Sequence, residues 1–353
     1  MQKVRIGIVG AGGISRAHLS AIAKEPRTVC QAIADVSLDA ARNVAEEYRI
    51  PEVHADYVRL LESPDIDAVI VCVPNFLHSR VTVDALRAGK HVLTEKPMAL
   101  NVHLAREMKE AADQAGKVLM VAQNNRFRPE TQLVKRWVES GRLGNIYHVK
   151  TGWIRRNGIP GWGSWFTQKQ LAGGGPLIDV GVHVLDLALW VIGHPKPVSV
   201  VGKTYDVFGP RRMKLSGWGQ VQENGIYDVE DLALAMIQFE QGISMLLEAS
   251  WASYINEDRV YLELYGDKAG ASVDFNRGTV TLFEDNGDGP VDTVYRPGPG
   301  DDRLLLLTNF TDAILSQADP VCKPEEGILI QEILDAAYLS AKTGDQVRFA
   351  VPV

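Results

Sequence analysis

Three cysteines in 353 residues, Cys30, Cys72 and Cys322, are too few and too scattered for a disulfide framework or a metal-ligand cluster, and they suit a reducing compartment. Positive charge is also short. Against 37 Lys and Arg stand 44 Asp and Glu, a net −7, so no basic field exists to hold a nucleic acid or an anionic membrane. No stretch approaches the ~20 apolar residues of a bilayer span. The first apolar run, Val4–Val9, stops at Gly10 and lacks the length and the small-residue cleavage site of a secretory signal. These absences predict a cytoplasmic, soluble chain with no metal, nucleic-acid or membrane partner. Internal repeats and low-complexity tracts are missing too. What remains, 46% hydrophobic and 23% charged residues, is an ordinary globular composition. At ~150 residues per domain the length predicts two domains.

The first third alternates short Val/Ile-rich runs with amphipathic stretches. Val4–Val9, Val29–Ala34, Ala68–Val73, His91–Thr94 and Val118–Val121 read as strands buried on both faces of a parallel sheet. Between them Ile14–Ala23, Leu38–Tyr48, Tyr57–Leu61, Leu77–Ala88 and Leu104–Ala115 have helical periodicity. This alternation predicts an α/β domain with a doubly wound parallel sheet over residues 1–123. Beyond it the pattern changes. Helices at Glu130–Ser140 and Pro176–Ile192 bracket a loop rich in Gly, Trp and Arg. Strands at Ala233–Phe239, Ile243–Ser250, Val260–Tyr265, Ala271–Phe275 and Thr279–Glu284 follow, joined by links too short for parallel crossovers. Asn286–Asp302 reads as a loop, Leu304–Ala318 and Gly327–Lys342 as helices, and Gln346–Val351 as a last strand. Residues 124–353 are thus expected to form an α+β domain on a mostly antiparallel open sheet.

Gly10-Ala11-Gly12-Gly13-Ile14-Ser15 follows the first strand and opens the first helix. A turn without Cβ atoms at a helix N-terminus admits a pyrophosphate to the backbone N–H groups. Ser15 replaces the third glycine of the dinucleotide fingerprint, a small-residue departure at a packing position. Asp35 lies 23 residues after Gly12, at the end of the second strand, near the ~20 the fingerprint expects. A carboxylate there accepts from ribose hydroxyls and repels a 2′-phosphate, so NAD is favoured over NADP. Arg42 is the cation nearby in sequence. Gly10, Gly12, Gly13, Ile14 and Asp35 form the expected cofactor cradle.

His91-Val92-Leu93-Thr94-Glu95-Lys96-Pro97 resembles the Gfo/Idh/MocA oxidoreductases, and so do Pro74-Asn75 with His78, Ala88-Gly89-Lys90-His91, Asn125-Arg126-Phe127 with Pro129, Gly173-Gly174-Gly175, and Asp179-Val180-Gly181-Val182-His183. The resemblance implies an N-terminal Rossmann domain, a C-terminal sheet domain with substrate held in the cleft between them, and nicotinamide-dependent redox chemistry on sugars or cyclitols. By resemblance Pro74, Asn75, His78, Glu95 and Lys96 join the cofactor contacts, and Asn124 and Arg126 the substrate contacts. For His78 alone, a packing or capping role is the more ordinary reading.

Lys96 stands just past a strand end, where open α/β sheets place ligands, and Pro97 restrains it to extended geometry. Its ammonium can stabilise negative charge on a reacting oxygen, although most lysines are simply solvated. Asp179 and His183, four apart on a helix, share a face. With Ile178, Val182, Leu185 and Leu189 as the apolar stripe, Asp179, His183 and Asp186 are expected to be exposed. His183 can take a hydroxyl proton; Asp179 can orient the ring or bind a neighbouring hydroxyl. For an isolated pair a capping Asp and a structural His would be the plainer reading, and the accompanying motifs favour the catalytic one. A metal half-site is disfavoured because the other histidines are dispersed. The loop Trp153–Phe166 offers Trp153, Trp162 and Trp165 to the C–H face of a ring, and Arg155 or Arg156 to its hydroxyls or to an anionic group. Trp162, flanked by glycines, and Arg155 are the expected substrate contacts.

The reading is a dehydrogenase of a sugar or inositol-like compound with Lys96, Asp179 and His183 as its catalytic residues. A glycosidase that uses tightly held NAD for transient oxidation, and a catalytically silent nucleotide-binding sensor, are the alternatives. A sheet of this type often hides its second face on another subunit, so a homodimer or homotetramer is expected.

Overall fold

The computed structural model describes residues 3–316 and 318–350; Val351, the end of the strand expected from Gln346, lies outside them. Short β-branched runs build the first sheet: Val4–Val9 (β1), Thr28–Ala34 (β2), Glu52–His54 (β3), Ala68–Val71 (β4), His91–Thr94 (β5) and Leu119–Val121 (β6). Every pair is parallel, in the order β3-β2-β1-β4-β5-β6. Successive residues of a strand point to opposite faces, and both faces are covered. Ile6 and Ile8 of β1 pack with Leu19 and Ile22 of the helix Gly13–Lys24 (α1) and with Ala41 and Val44 of Leu38–Tyr48 (α2). Val9 and Val71 face the other way, toward Tyr57–Glu62 (α3), Asn75–Arg87 (α4) and Val102–Ala115 (α5).

The second unit begins with Pro129–Glu139 (α6) and Ile146–Ile154 (β7). Lys169–Ala172 (α7) is followed by a π-helical turn, Leu177–Gly181, running into Val182–Ile192 (α8). Pro197–Tyr205 (β8), Leu232–Phe239 (β9), Ser244–Ser250 (β10), Arg259–Gly266 (β11), Gly270–Asp274 (β12), Thr279–Asp285 (β13) and Pro290–Tyr295 (β14) complete the main run of strands. After the helices Asp302–Leu315 (α9) and Pro324–Thr343 (α10), Val347–Arg348 (β15) closes the order β14-β13-β12-β11-β7-β10-β9-β8-β15. Only the β7–β10 pair is parallel among these. In β9 the burial alternates, with Ala233, Ala235 and Ile237 inside and Leu234 and Met236 outside. The apolar helical run over Lys169–Ile192 is long enough to cross a membrane by length and composition, but 83% of its most apolar window is buried within the protein.

Three expectations change. Residues 124–353 are not one continuous domain: Asp301–Gln331 belongs with Met1–Phe127, because Leu306, Leu307 and Phe310 of α9 enter the core beside α1. The expected loop Asn286–Asp302 contains an edge strand, β14, whose alternating Val291, Thr293 and Tyr295 gain ladder bonds from β13 alone. The last strand is confined to Val347–Arg348.

Candidate active site

In the first unit, β1 ends at Gly10, whose φ of 103° and close approach to the Cys72 carbonyl leave no room for a side chain; a Cβ would lie 2.4 Å from that oxygen. Gly12 and Gly13 differ. Nothing lies within 4 Å of a Cβ built on either. The N-terminus of α1 has no side-chain cap and no acidic residue in its first turn, so its positive end faces this open space. Ser15 is fully buried and its hydroxyl donates to the Gly12 carbonyl at 2.6 Å, which explains why a small residue suffices at the third fingerprint position.

Asp35 is tied to the same turn. Its Oδ2 accepts the Ala11 N–H at 2.7 Å and its Oδ1 the Ser37 N–H at 2.8 Å. A carboxylate has about four acceptor sites, so capacity for ribose hydroxyls remains. Arg42 lies on the surface beside Asp39 and does not pair with Asp35.

The loops after β4 and β5 form the next part of the sheet's carboxyl edge. Pro74 precedes α4 and Asn75 opens it, 8% exposed. Lys96 is half-buried directly after Glu95. Glu95 is a buried hub: His18 Nε2 and Arg303 Nη1 each lie 2.8 Å from its Oε1, and its Oε2 accepts the Lys96 N–H at 3.2 Å. Burial pushes this carboxyl up, but Arg303, His18 and Lys96 outweigh it and hold Glu95 well below the usual carboxylate range. After β6, the buried Gln123 Oε1 and Asn124 Oδ1 have no hydrogen-bond partner among the described residues, while Asn124 Nδ2 donates to Asp302 at 2.6 Å. The open glycine turn after β1, the Asp35 carboxylate and the two unpaired acceptors after β6 lie along the carboxyl edge of one sheet, and with them this unit fits NAD.

In the second unit, the π-helical turn widens the helix just before α8, and π turns recur at functional sites. Asp179 sits in that turn and accepts from Trp251 Nε1 at 2.8 Å; Trp251 is fully buried just after β10. His183, in the first turn of α8, lies with its ring centroid 5.6 Å from that of Trp153, and the Arg155 guanidinium stacks over Trp153 at 5.2 Å. Asp179, His183, Trp153 and Arg155 are therefore linked by the Leu177–Gly181 turn and the end of β7.

Residues 4–123 match the family described as "Oxidoreductase family, NAD-binding Rossmann fold", and residues 131–272 match the "GFO/IDH/MocA C-terminal domain". The chain belongs to the Gfo/Idh/MocA oxidoreductase family. D-glucoside 3-dehydrogenase of Escherichia coli (strain K12) is 35% identical over 98% of this chain and 97% of its own length. Levoglucosan dehydrogenase of Pseudarthrobacter phenanthrenivorans is 28% identical over 78% of this chain and 75% of that protein. A solved levoglucosan dehydrogenase, in complex with NADH and L-sorbose, superposes with a TM-score of 0.87 at 25% identity, covering 99% of each chain. As a member of this family the protein is an NAD-dependent oxidoreductase with an N-terminal Rossmann fold.

Against the family pattern several assignments move. His78 does not offer a ring nitrogen to a ligand: it is 1% exposed, with Nδ1 2.7 Å from the Pro97 carbonyl and Nε2 2.9 Å from the Val73 carbonyl. It pins the β4 and β5 loops together from beneath. Glu95 likewise turns inward, toward His18 and Arg303, instead of toward a cofactor. Arg126 is 1% exposed and bonds the Val321 carbonyl and Glu326, so it staples its own unit and does not reach a substrate. Trp162 is buried, donates to the Gly209 carbonyl at 2.8 Å and is covered by Arg212 at 4.0 Å; it packs two loops together. Trp153, on β7, is the loop-region tryptophan beside His183. Asp186 and His183 were expected on an exposed face, but α8 is packed on its other sides by α6, β7 and β11, leaving Asp186 0% and His183 9% exposed.

Proposed function

We propose that this dehydrogenase oxidises a secondary hydroxyl of a sugar or cyclitol ring, with Lys96, His183 and Asp179 as its catalytic residues. The relatives named for glucoside and levoglucosan oxidation support a pyranose-like substrate. NAD, when bound, accepts the hydride that leaves the substrate carbon. Gly10, Gly12, Gly13 and Ile14 would hold its pyrophosphate at the α1 N-terminus, Asp35 its adenine-side ribose, and Pro74 and Asn75 its nicotinamide end, with Asn124 left to the substrate. His183 takes the hydroxyl proton. Lys96 donates a hydrogen bond to the same oxygen and stabilises the negative charge that grows there. Asp179, whose Oδ2 accepts from Trp251 Nε1, orients a neighbouring hydroxyl, and Arg155 bonds another beside Trp153. The observation that carries this reading is the pairing of an open glycine turn, with the Asp35 carboxylate at its side, with a half-buried lysine at the same sheet edge.

A panel of aldoses, glucosides and cyclitols assayed with NAD and NADP tests it. The expected result is stoichiometric NADH formation with a pyranose substrate, faster with NAD. Sugar hydrolysis without net NADH would instead identify the transient-oxidation glycosidase, and nucleotide binding without turnover the sensor.

The protein is further proposed to be a cytoplasmic homodimer or homotetramer. Its three cysteines are free thiols, and Val201, Met236 and Leu246 stand side by side on β8, β9 and β10 with relative exposures of 47%, 46% and 38%. An apolar strip across three strands favours a second copy of the same sheet. Light scattering is expected to give a multiple of 38.8 kDa, and Met236→Glu to lower the mass. A wild-type mass of one chain refutes the assembly.

A further inference from the structure

The Gly173-Gly174-Gly175 run has so far no role in the reaction, and neither has a buried carboxylate beside it. Glu230, 7% exposed, lies just before β9. Its Oε2 accepts the Gly175 N–H at 2.9 Å, and its Oε1 accepts both the Leu177 N–H at 3.1 Å and the Tyr338 hydroxyl at 2.8 Å. The glycines make this approach possible. A Cβ on Gly175 would lie 2.0 Å from the Glu230 carbonyl oxygen, and one on Gly174 would lie 2.0 Å from the Tyr338 hydroxyl. Leu177 opens the π-helical turn, and the Gly175 carbonyl accepts the Asp179 N–H at 3.1 Å. One residue, Gly175, thus connects Glu230 through its N–H to Asp179 through its carbonyl, and one helical turn separates Asp179 from His183.

We propose that Glu230 and Tyr338 are positioning residues, a buried carboxylate–phenol clamp that sets the height and rotation of the turn carrying Asp179 and His183. The inference rests on the roles proposed above for those two residues. Pro176, the residue at the N-cap, makes no side-chain cap, and Glu230 takes that place by accepting the Leu177 N–H. Around Glu230 stand Tyr338 and Asp335 of α10, Tyr227 and Asp231 of its own loop, and Lys169, whose ammonium lies 5.7 Å over the Tyr338 ring. Burial pushes the Glu230 carboxyl up, against the pull of its Gly175, Tyr338 and Leu177 hydrogen bonds. Once protonated, it loses acceptor capacity and the clamp loosens.

Tyr338→Phe removes a donor without changing the ring. It is expected to lower kcat for the sugar about 10-fold, since a displacement of about 1 Å at a catalytic group costs up to 100-fold. KM for NAD should stay unchanged and the acid-side fall of kcat should move to higher pH. Glu230→Gln should lower kcat further and remove the clamp's share of the acid-side fall, leaving the limb that belongs to His183. If Glu230→Gln does not fold, Tyr338→Phe decides. A Tyr338→Phe enzyme with wild-type kcat and pH profile, or one that loses NAD affinity in step with kcat, overturns the clamp. His183→Asn separates the two claims. If it stays active, the roles assumed for the helix fail; if it is inactive while Tyr338→Phe is wild-type, only the clamp fails.

Discussion

Lys96→Met is expected to cut kcat for sugar oxidation by about 10²- to 10³-fold, the loss seen when one preorganised donor to a developing oxyanion is removed. Affinity for NAD should change no more than a few-fold. In the free ground state the substrate hydroxyl is neutral and needs the ammonium little. As proton and hydride leave, negative charge gathers on oxygen and is lost again only when the carbonyl forms. A cation fixed at that oxygen acts mainly in the transition state, so the damage falls on kcat more than on KM. The fold should tolerate the change. Glu95, which faces the Lys96 amide, keeps its His18 and Arg303 partners at 2.8 Å. Lys96→Arg is not a conservative control, because a planar guanidinium carries its donors in a fixed fork instead of at a compact point. Steady-state kinetics with a separate NAD-binding titration provide the check; a Met variant keeping a tenth or more of wild-type kcat would sink the role of Lys96.

The nucleotide half of the protein was readable because its signals are local. A glycine turn between a strand and a helix, with Asp35 at the end of the next strand, is one short stretch of chain, and Asp35 does meet that turn at Ala11. Signals that depend on distant partners were not readable. Arg303 reaches Glu95 across 208 residues and Tyr338 reaches Glu230 across 108, and no periodicity announces either. Trp162 misled because its flanking glycines suggested space for a ring. In fact a Cβ on Gly163 would lie 2.2 Å from the Gln222 carbonyl, so the glycine serves contact with a second loop. β7 was missed because His148 and Lys150 interrupt its apolar run on the outward face, and Asp186 was misplaced because a helix wrapped on several sides has no polar stripe.

His183→Asn should cost about 10²- to 10⁴-fold in kcat, the range for a lost general base. Its pH dependence separates it from the lysine variant. With His183 in place, activity rises as the imidazole loses its proton and then levels off. Without it the hydroxyl proton must go to solvent, so the residual rate should keep climbing with pH where the wild type is flat. Lys96→Met leaves the base intact and should retain the wild-type shape at a lower height. Asparagine preserves much of the imidazole's volume beside Trp153, so packing of α8 should survive and unfolding should not mimic the effect. Asp179→Asn is the informative companion. An amide can still accept from Trp251 through its oxygen, so the turn is kept while the charge is lost. If Asp179 orients substrate, that variant raises KM for the sugar with little change in profile; if it raises the basicity of His183, the acid limb shifts downward instead. A His183→Asn enzyme with a flat profile and near wild-type kcat would assign the proton to another group.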